Sequence, residues 1–85
     1  MTDVEYDILD ELYFVQSFVF LLKELGMSEH SLKKNLGTMI EKGWVKCFRQ
    51  DNTEVFGEAL AFDLNYRGYL YLATKRGLMA HNAGE

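Results

Sequence analysis

The stretch that decides the fold lies in the middle of the chain, where residues 25–45 read LGMSEHSLKKNLGTMIEKGWV. Gly26 and Ser28 mark a short turn, and serine is a typical helix N-cap because its hydroxyl accepts a hydrogen bond from an orphan backbone N–H. Large apolar side chains then recur at the spacing of one helix face. They are Leu32, Leu36, Met39 and Ile40. Gly43 favours a stop, so we expect a helix over about 28–42.

The start of the chain has the pattern of a helix N-terminus. Thr2 and Glu5 stand three residues apart, as in a capping box, and acidic residues in the first turn suit the positive end of the helix dipole. Apolar residues at helical spacing follow, namely Ile8, Leu9 and Leu12. We therefore predict a helix near 3–13.

A second amphipathic helix is expected between this one and the turn at Gly26. Ser17 is a plausible cap, and an apolar stripe lies behind it at helical spacing. The stripe consists of Phe18, Leu21, Leu22 and Leu25. The boundary with the first helix is weak because residues 13–16 contain no strong helix breaker, so one helix over 3–25 is an open alternative to a helix over 17–25.

Two segments in the second half alternate at the period of a β-strand. They cover residues 44–49 and 69–74, and we expect them to pair as a hairpin. Val45 and Cys47 would then share the inner face with Leu70 and Leu72. The outer face would carry the aromatic side chains Trp44, Phe48, Tyr69 and Tyr71.

The segment between these strands, residues 51–67, is too long for a tight hairpin turn. Its apolar residues could line one face of a short extra helix at about 53–63, and an elaborated loop is the alternative. After the second strand, Thr74 would cap a short terminal turn, and we expect the tail from His81 to Glu85 to fray.

Length and composition bound the class of protein. The 85 residues are 48% hydrophobic and lack proline, which indicates one globular domain over 1–85 with a core at about 3–79. A lone cysteine, Cys47, cannot form an internal disulfide. The nearly uncharged stretch 12–22 is shorter than the roughly 20 residues that span a membrane, and no signal-peptide pattern is visible. We expect a cytoplasmic protein without a membrane partner.

Charge is distributed unevenly along the chain. The net charge is −4, which is the wrong sign for a simple nucleic-acid binder. Residues 30–50, however, carry five lysines and arginines against Glu41, a net charge of +4. Residues 51–63 carry four acids and no cation, a net charge of −4. Positive charge is therefore concentrated on the central helix and the strand that follows it.

Taken in order, these elements resemble a known family. Residues 25–28, LGMS, followed by residues 39–45, MIEKGWV, are similar to the helix-turn-helix core of winged-helix transcription regulators. Residues 71–77, YLATKRG, are similar to the exit from the second wing strand of that family. The resemblance covers about residues 5–79. It implies an α+β fold in which a three-helix core is followed by a C-terminal β-hairpin wing.

The resemblance also implies a small transcriptional regulator that binds double-stranded DNA as a dimer, with the helix at about 28–42 in the major groove. The recognition-helix residues implied are His30, Ser31, Lys33, Lys34, Asn35 and Thr38. The wing and backbone contacts implied are Lys46, Arg49 and Arg67. The acidic insert departs from the family pattern, since acids oppose phosphate approach. We expect it to fold back or to meet a protein.

A second interpretation is a winged-helix module that binds proteins and not DNA. Its partner surface, for a second copy or another protein, would use Trp44, Phe48, Phe56, Tyr69 and Tyr71, because aromatic residues are enriched at interfaces. Catalysis has little support. The two histidines and the cysteine are not spaced as a metal site, and no phosphate-loop or nucleophile motif occurs. We expect no enzyme activity, metal or cofactor.

Overall fold

The computed structural model describes residues 1–84, which form a mixed α+β fold. The described part contains five α-helices, one 3-10 helix and a four-stranded antiparallel sheet. In chain order the elements are α1 (Asp3–Glu11), β1 (Gln16–Ser17), α2 (Phe18–Leu25), α3 (Glu29–Glu41), β2 (Val45–Phe48), β3 (Glu54–Val55), the 3-10 helix (Gly57–Ala59), α4 (Phe62–Asn65), β4 (Leu70–Ala73) and α5 (Lys75–Ala83). We call residues 57–67 the lobe.

Helices α1, α2 and α3 begin where their caps predict. The Thr2 capping box is formed, and the hydroxyls of Ser17 and Ser28 accept from Phe20 N–H and Ser31 N–H at 3.1 Å each. The single helix over 3–25 is therefore wrong. Residues 16–17 are extended because they pair with β4, which stops α1 from continuing into α2.

The strands are arranged in the order β1–β4–β2–β3. The pairing of β2 with β4 confirms the expected hairpin, with Val45 opposite Ala73 and Cys47 opposite Tyr71. Strands β1 and β3 were not expected from the sequence. Each is only two residues long, which is too short for an alternating pattern to show.

The predicted faces of β4 are wrong. Tyr71 and Ala73 face the core beside Cys47 and Val45, whereas Leu70 and Leu72 lie half-buried on the other face. Tyr71 can be fully buried because its hydroxyl donates to the Tyr66 carbonyl at 2.6 Å, which satisfies its polar end.

The core lies between helices α1 to α3 and the inner face of the sheet. Its fully buried apolar side chains come from all three helices, and β2, β3 and β4 close it. They include Ile8, Leu9, Leu12, Phe18, Leu21, Leu32, Leu36 and Met39. The predicted stripe of α3 is thus confirmed, with Ile40 partly buried at its margin. No helix of residues 1–84 is long and apolar enough to cross a membrane.

The segment between β2 and β4 is more irregular than a helix over 53–63. Helix occurs there only as the 3-10 turn and the four residues of α4. Gly57 adopts a left-handed conformation with φ +59°, which interrupts any helix that starts at Thr53. The expectation that this segment folds back is confirmed, because Phe62 and Tyr66 pack against the core.

Helix α5 replaces the predicted terminal turn and frayed tail. The Thr74 hydroxyl caps it by accepting from Gly77 N–H at 3.0 Å. His81 is only 7% exposed, stacks on the Tyr6 ring at 4.1 Å and hydrogen-bonds the Tyr13 hydroxyl at 2.8 Å. These contacts dock α5 on α1, so the fraying prediction is wrong up to residue 84; Glu85 lies outside the described residues.

Candidate nucleic-acid interface

Helix α3 has one buried face, two flanks and one outward face. The outward face carries exposed side chains that the fold does not use for packing. They are His30, Lys34, Thr38 and Glu41. The first three lie within the first ten residues of this 13-residue helix, and the acid is its last residue. The sequence prediction therefore holds for the exposure of His30, Lys34 and Thr38.

Two of the expected base-reading residues make local hydrogen bonds. The Asn35 amide donates to the Ser31 carbonyl at 2.8 Å, and the Thr38 hydroxyl donates to the Lys34 carbonyl at 3.1 Å. Ser31 and Asn35 are half-buried, on the flank of α3 away from the lobe. Because a carboxamide offers two N–H donors and one acceptor, Asn35 keeps hydrogen-bonding capacity for a ligand.

Lys33, expected as a phosphate contact, is held by the lobe. Its ammonium lies 3.6 Å from the Asp63 carboxylate and 4.7 Å from the centroid of the Tyr66 ring. The two adjacent lysines of α3 thus differ, because the side chain of Lys34 is exposed on the outward face and that of Lys33 points to the lobe.

Arg67 is also held against α3 and not presented by a wing tip. Its guanidinium pairs with Glu29 in the first turn of α3, and the Tyr66 hydroxyl donates to the same carboxylate. The hydrogen bonds from Tyr66 and Arg67 lower the pKa of Glu29 below its ordinary value. Glu29 thus stays charged and bound to the lobe over the physiological range.

The remaining basic residues named from the sequence follow α3 along β2. Arg49, just past the end of β2, is exposed, whereas Lys46 is half-buried with its ammonium 5.8 Å from the Phe48 ring. Arg49 N–H donates to the Thr53 carbonyl at 2.8 Å, which fixes the turn that leads out of β2. Arg49 and Arg67 are thus both exposed, but of the two only Arg67 is in an ion pair among residues 1–84.

A groove of ≈ 530 Å³ separates the outward face of α3 from the lobe. Its walls carry Lys34 and Thr38 on one side and Leu60 and Phe62 on the other. At Gly37 a Cβ would lie 3.3 Å from the Phe62 ring. The close approach of the Phe62 ring gives a physical reason for glycine at this position of the helix.

The opposite flank of α3 is fastened by a different ion pair. The Lys42 ammonium lies 2.9 Å from the Glu5 carboxylate, which is 2% exposed, and 4.6 Å from the Trp44 ring. Burial raises the pKa of Glu5, but the hydrogen bond from Thr2 N–H and the Lys42 ammonium outweigh it, so the pKa lies below its ordinary value. Lys42 is therefore a structural cation of this flank.

The aromatic partner surface expected from the sequence is only partly exposed. Phe56 is 70% exposed, and Trp44 and Phe48 are half-buried. Tyr69 and Tyr71 are buried, so their assignment to this surface is wrong. Their hydroxyls are satisfied inside the protein, and Tyr69 accepts from Ala61 N–H at 3.2 Å.

Sequence reasoning missed a different apolar surface, at the junction of α1 and α2. Five large apolar side chains are exposed within eight residues, and Phe14 alone is 77% exposed. They are Tyr13, Phe14, Val15, Val19 and Phe20. The sequence indicates this surface, because residues 12–22 contain no charged residue although a single face of α2 is enough to fill the core.

Comparison with protein-family models, curated proteins and solved structures finds no match to this chain. Within residues 1–84, no group of three or more histidine, cysteine and acidic side chains is placed to hold a metal ion. Burial raises the pKa of Cys47 to about 12, which suits a packing role and not that of a nucleophile.

Proposed function

We propose that the chain is a winged-helix domain that binds double-stranded DNA, with α3 as the recognition helix in the major groove. The order of three helices followed by β2 and β4 supports this proposal. Strand β1 supports it too, because it lies between α1 and α2 in the chain and pairs with β4. A cytoplasmic transcriptional regulator that acts as a dimer is the biological role that fits such a domain best.

The outward face of α3 is the observation that carries the proposal. It presents a cation, a hydroxyl and an imidazole, all exposed, from a helix whose opposite face is fully committed to the core. Side chains of these types can reach phosphates and base edges when the N-terminal part of a helix enters the major groove.

The geometry assigns different roles to the residues of this surface. Lys34 and Arg49 would hold phosphates, because both are exposed cations. Thr38 and His30 would lie nearest the base edges, with Ser31 and Asn35 at the margin. Lys46 would make at most an outer backbone contact.

A salt titration of binding to a short mixed-sequence duplex tests the proposal. Each phosphate contact contributes a slope of about −0.9 to the dependence of log affinity on log salt concentration. Lys34→Ala should therefore weaken binding and make the slope shallower by about 0.9. The matched control is Lys75→Ala, an exposed lysine at the start of α5, which should leave the slope unchanged.

Absence of binding to the duplex at low salt would overturn the DNA proposal, and so would equal effects of the two substitutions. Both residues are exposed, so neither variant is expected to disturb the fold. Circular dichroism of each variant should match that of the parent and serves as the check on folding.

A second candidate is a protein-interaction module, and the exposed apolar stretch at residues 13–20 favours it. Five exposed large apolar side chains in one short segment are unusual for a domain of this size. Phe14→Glu should disrupt any association through this surface. Sedimentation velocity that shows a dimer in the parent and a monomer in the variant would support an interface between copies. A monomer in both would argue against self-association.

A further inference from the structure

Two ion pairs join α3 to the lobe, and they have opposite polarity. Lys33 on α3 pairs with Asp63 on the lobe, and Glu29 on α3 pairs with Arg67 on the lobe. Each pair takes one cation that could otherwise approach a phosphate and covers it with a carboxylate of the protein itself.

Lys33 lies beside the outward face of α3, whereas Arg67 lies at the first turn of α3, with its guanidinium 5.8 Å from the Phe18 ring. Lys33 and Asp63 line the same groove as Lys34, and Glu29 belongs to the first turn of α3, where a recognition helix meets DNA. A DNA strand that follows this face would bring phosphates next to the same two cations. The carboxylates of Asp63 and Glu29 would then compete with those phosphates.

The lobe pairs are built so that such competition is possible. The Asp63 side chain is 90% exposed, so its carboxylate is placed to repel a phosphate that approaches Lys33. Helix α4 lacks a side-chain cap and has four residues. The contacts that join the lobe to α3 include the two ion pairs and the hydrogen bond from the Tyr66 hydroxyl to Glu29.

We propose that Asp63 and Glu29 act as internal substitutes for DNA phosphates, and that they lower the affinity of α3 for DNA by masking Lys33 and Arg67. This inference rests on the proposed DNA binding by α3 and names how that binding is restrained. In the parent protein, Lys34 contributes to the salt slope and Lys33 does not. Neutralising Asp63 or Glu29 releases one further cation.

The experiment compares salt slopes for Asp63→Asn and Glu29→Gln, which keep the side-chain size and remove the charge. Each variant should bind the mixed-sequence duplex more tightly than the parent at low salt. Each should also have a slope steeper by about 0.9, the value for one additional phosphate contact. The double variant Asp63→Asn with Lys33→Ala should return to the parent slope.

Glu58→Gln is the matched control, because Glu58 is another exposed acid of the lobe and has no ion-pair partner within residues 1–84. A general reduction of negative charge would make Glu58→Gln and Asp63→Asn alike in affinity and slope, which would overturn the inference. A parent slope in Asp63→Asn would overturn it as well.

The inference and the proposed function fail in different ways. If the parent binds the duplex in a Lys34-dependent manner but Asp63→Asn leaves affinity and slope unchanged, only the masking role is wrong. If the parent, Asp63→Asn and Glu29→Gln all fail to bind at low salt, DNA binding by α3 is wrong and the masking role falls with it.

Discussion

Both flanks of α3 carry ion pairs, and Lys42–Glu5 on one flank differs greatly from Lys33–Asp63 on the other. On the α1 side, Lys42 meets Glu5, a carboxylate that is 2% exposed and also part of a capping box. On the lobe side, Lys33 meets Asp63, whose side chain is 90% exposed. A buried charge has to keep its partner, whereas an exposed one can exchange it for solvent or a ligand.

The glycines near the two flanks repeat this difference. At Gly77, beside the α1 flank, a Cβ would lie 2.2 Å from the Trp44 carbonyl oxygen, which is a backbone atom. At Gly37, facing the lobe, a Cβ would lie 3.3 Å from the ring of Phe62. The Trp44 backbone cannot move aside for an added methyl group, whereas the Phe62 side chain can. One flank is therefore rigid scaffold, and the other is adjustable.

The largest expected effect is that of Gly77→Ala. The added methyl group would force α5 away from Trp44, and overpacking of this kind costs about 3 kcal/mol. Urea unfolding followed by circular dichroism measures the loss of stability. A loss as small as that of Gly37→Ala would contradict the close fit between Gly77 of α5 and the Trp44 backbone.

Lys42→Ala should have the next largest effect. It leaves the Glu5 carboxylate buried without its cation, and we expect a loss of about 2 kcal/mol, below the full range for a buried pair because Lys42 is itself half-exposed. Lys33→Ala breaks the exposed pair and should cost at most ~1 kcal/mol. Equal losses in urea unfolding would contradict the distinction between the two flanks.

The same pair predicts a pH dependence. Because the pKa of Glu5 in the folded state lies below its ordinary value of 4.5, its stabilising contribution is present above pH 4.5 and is lost as the pH falls through the folded-state pKa. Lys42→Ala removes one cause of that lowering, so the variant should lose less stability over the same acid range. Unfolding midpoints measured from neutral to acid pH test this, and parallel losses in parent and variant would contradict it.

Gly37→Ala should have the smallest effect. Alanine favours the helix by up to ~1 kcal/mol, and the contact with Phe62 opposes this gain. In a Phe62→Ala background the opposing contact is gone, so the same substitution should stabilise by the full ~1 kcal/mol. A double-mutant cycle in urea measures the coupling, and additive effects would mean that Phe62 does not press on Gly37.

The helices and their caps were predicted well from the sequence, because each depends on residues within its own segment. Ser17, Ser28 and Thr74 cap helices from within their own segments, and the stripe on α3 needs only helical spacing. The buried face of β4 was predicted wrongly, because Tyr71 and Leu70 both have large, mostly apolar side chains. Burial of the tyrosine depends on the Tyr66 carbonyl, which reaches the hydroxyl only in the folded lobe.

The candidate site was predicted in its residue types but not in their pairing. Lys33 and Lys34 are adjacent lysines of one helix, and nothing in the sequence shows that Lys33 pairs with Asp63. Likewise, nothing near Arg67 in the chain indicates Glu29, which lies 38 residues earlier. Partners that are distant in sequence and lie on an irregular segment leave no periodic signal, so the lobe is where prediction failed most.

The most direct test of the central claim is an NMR titration of the protein with a short mixed-sequence duplex at low salt. If α3 is the DNA-binding element, the largest amide shifts should fall on residues 30–38, with smaller shifts at Arg49 and in the lobe. The amide resonances of helix α5 should not shift. Largest shifts at residues 13–20, or none anywhere, would contradict DNA binding through α3.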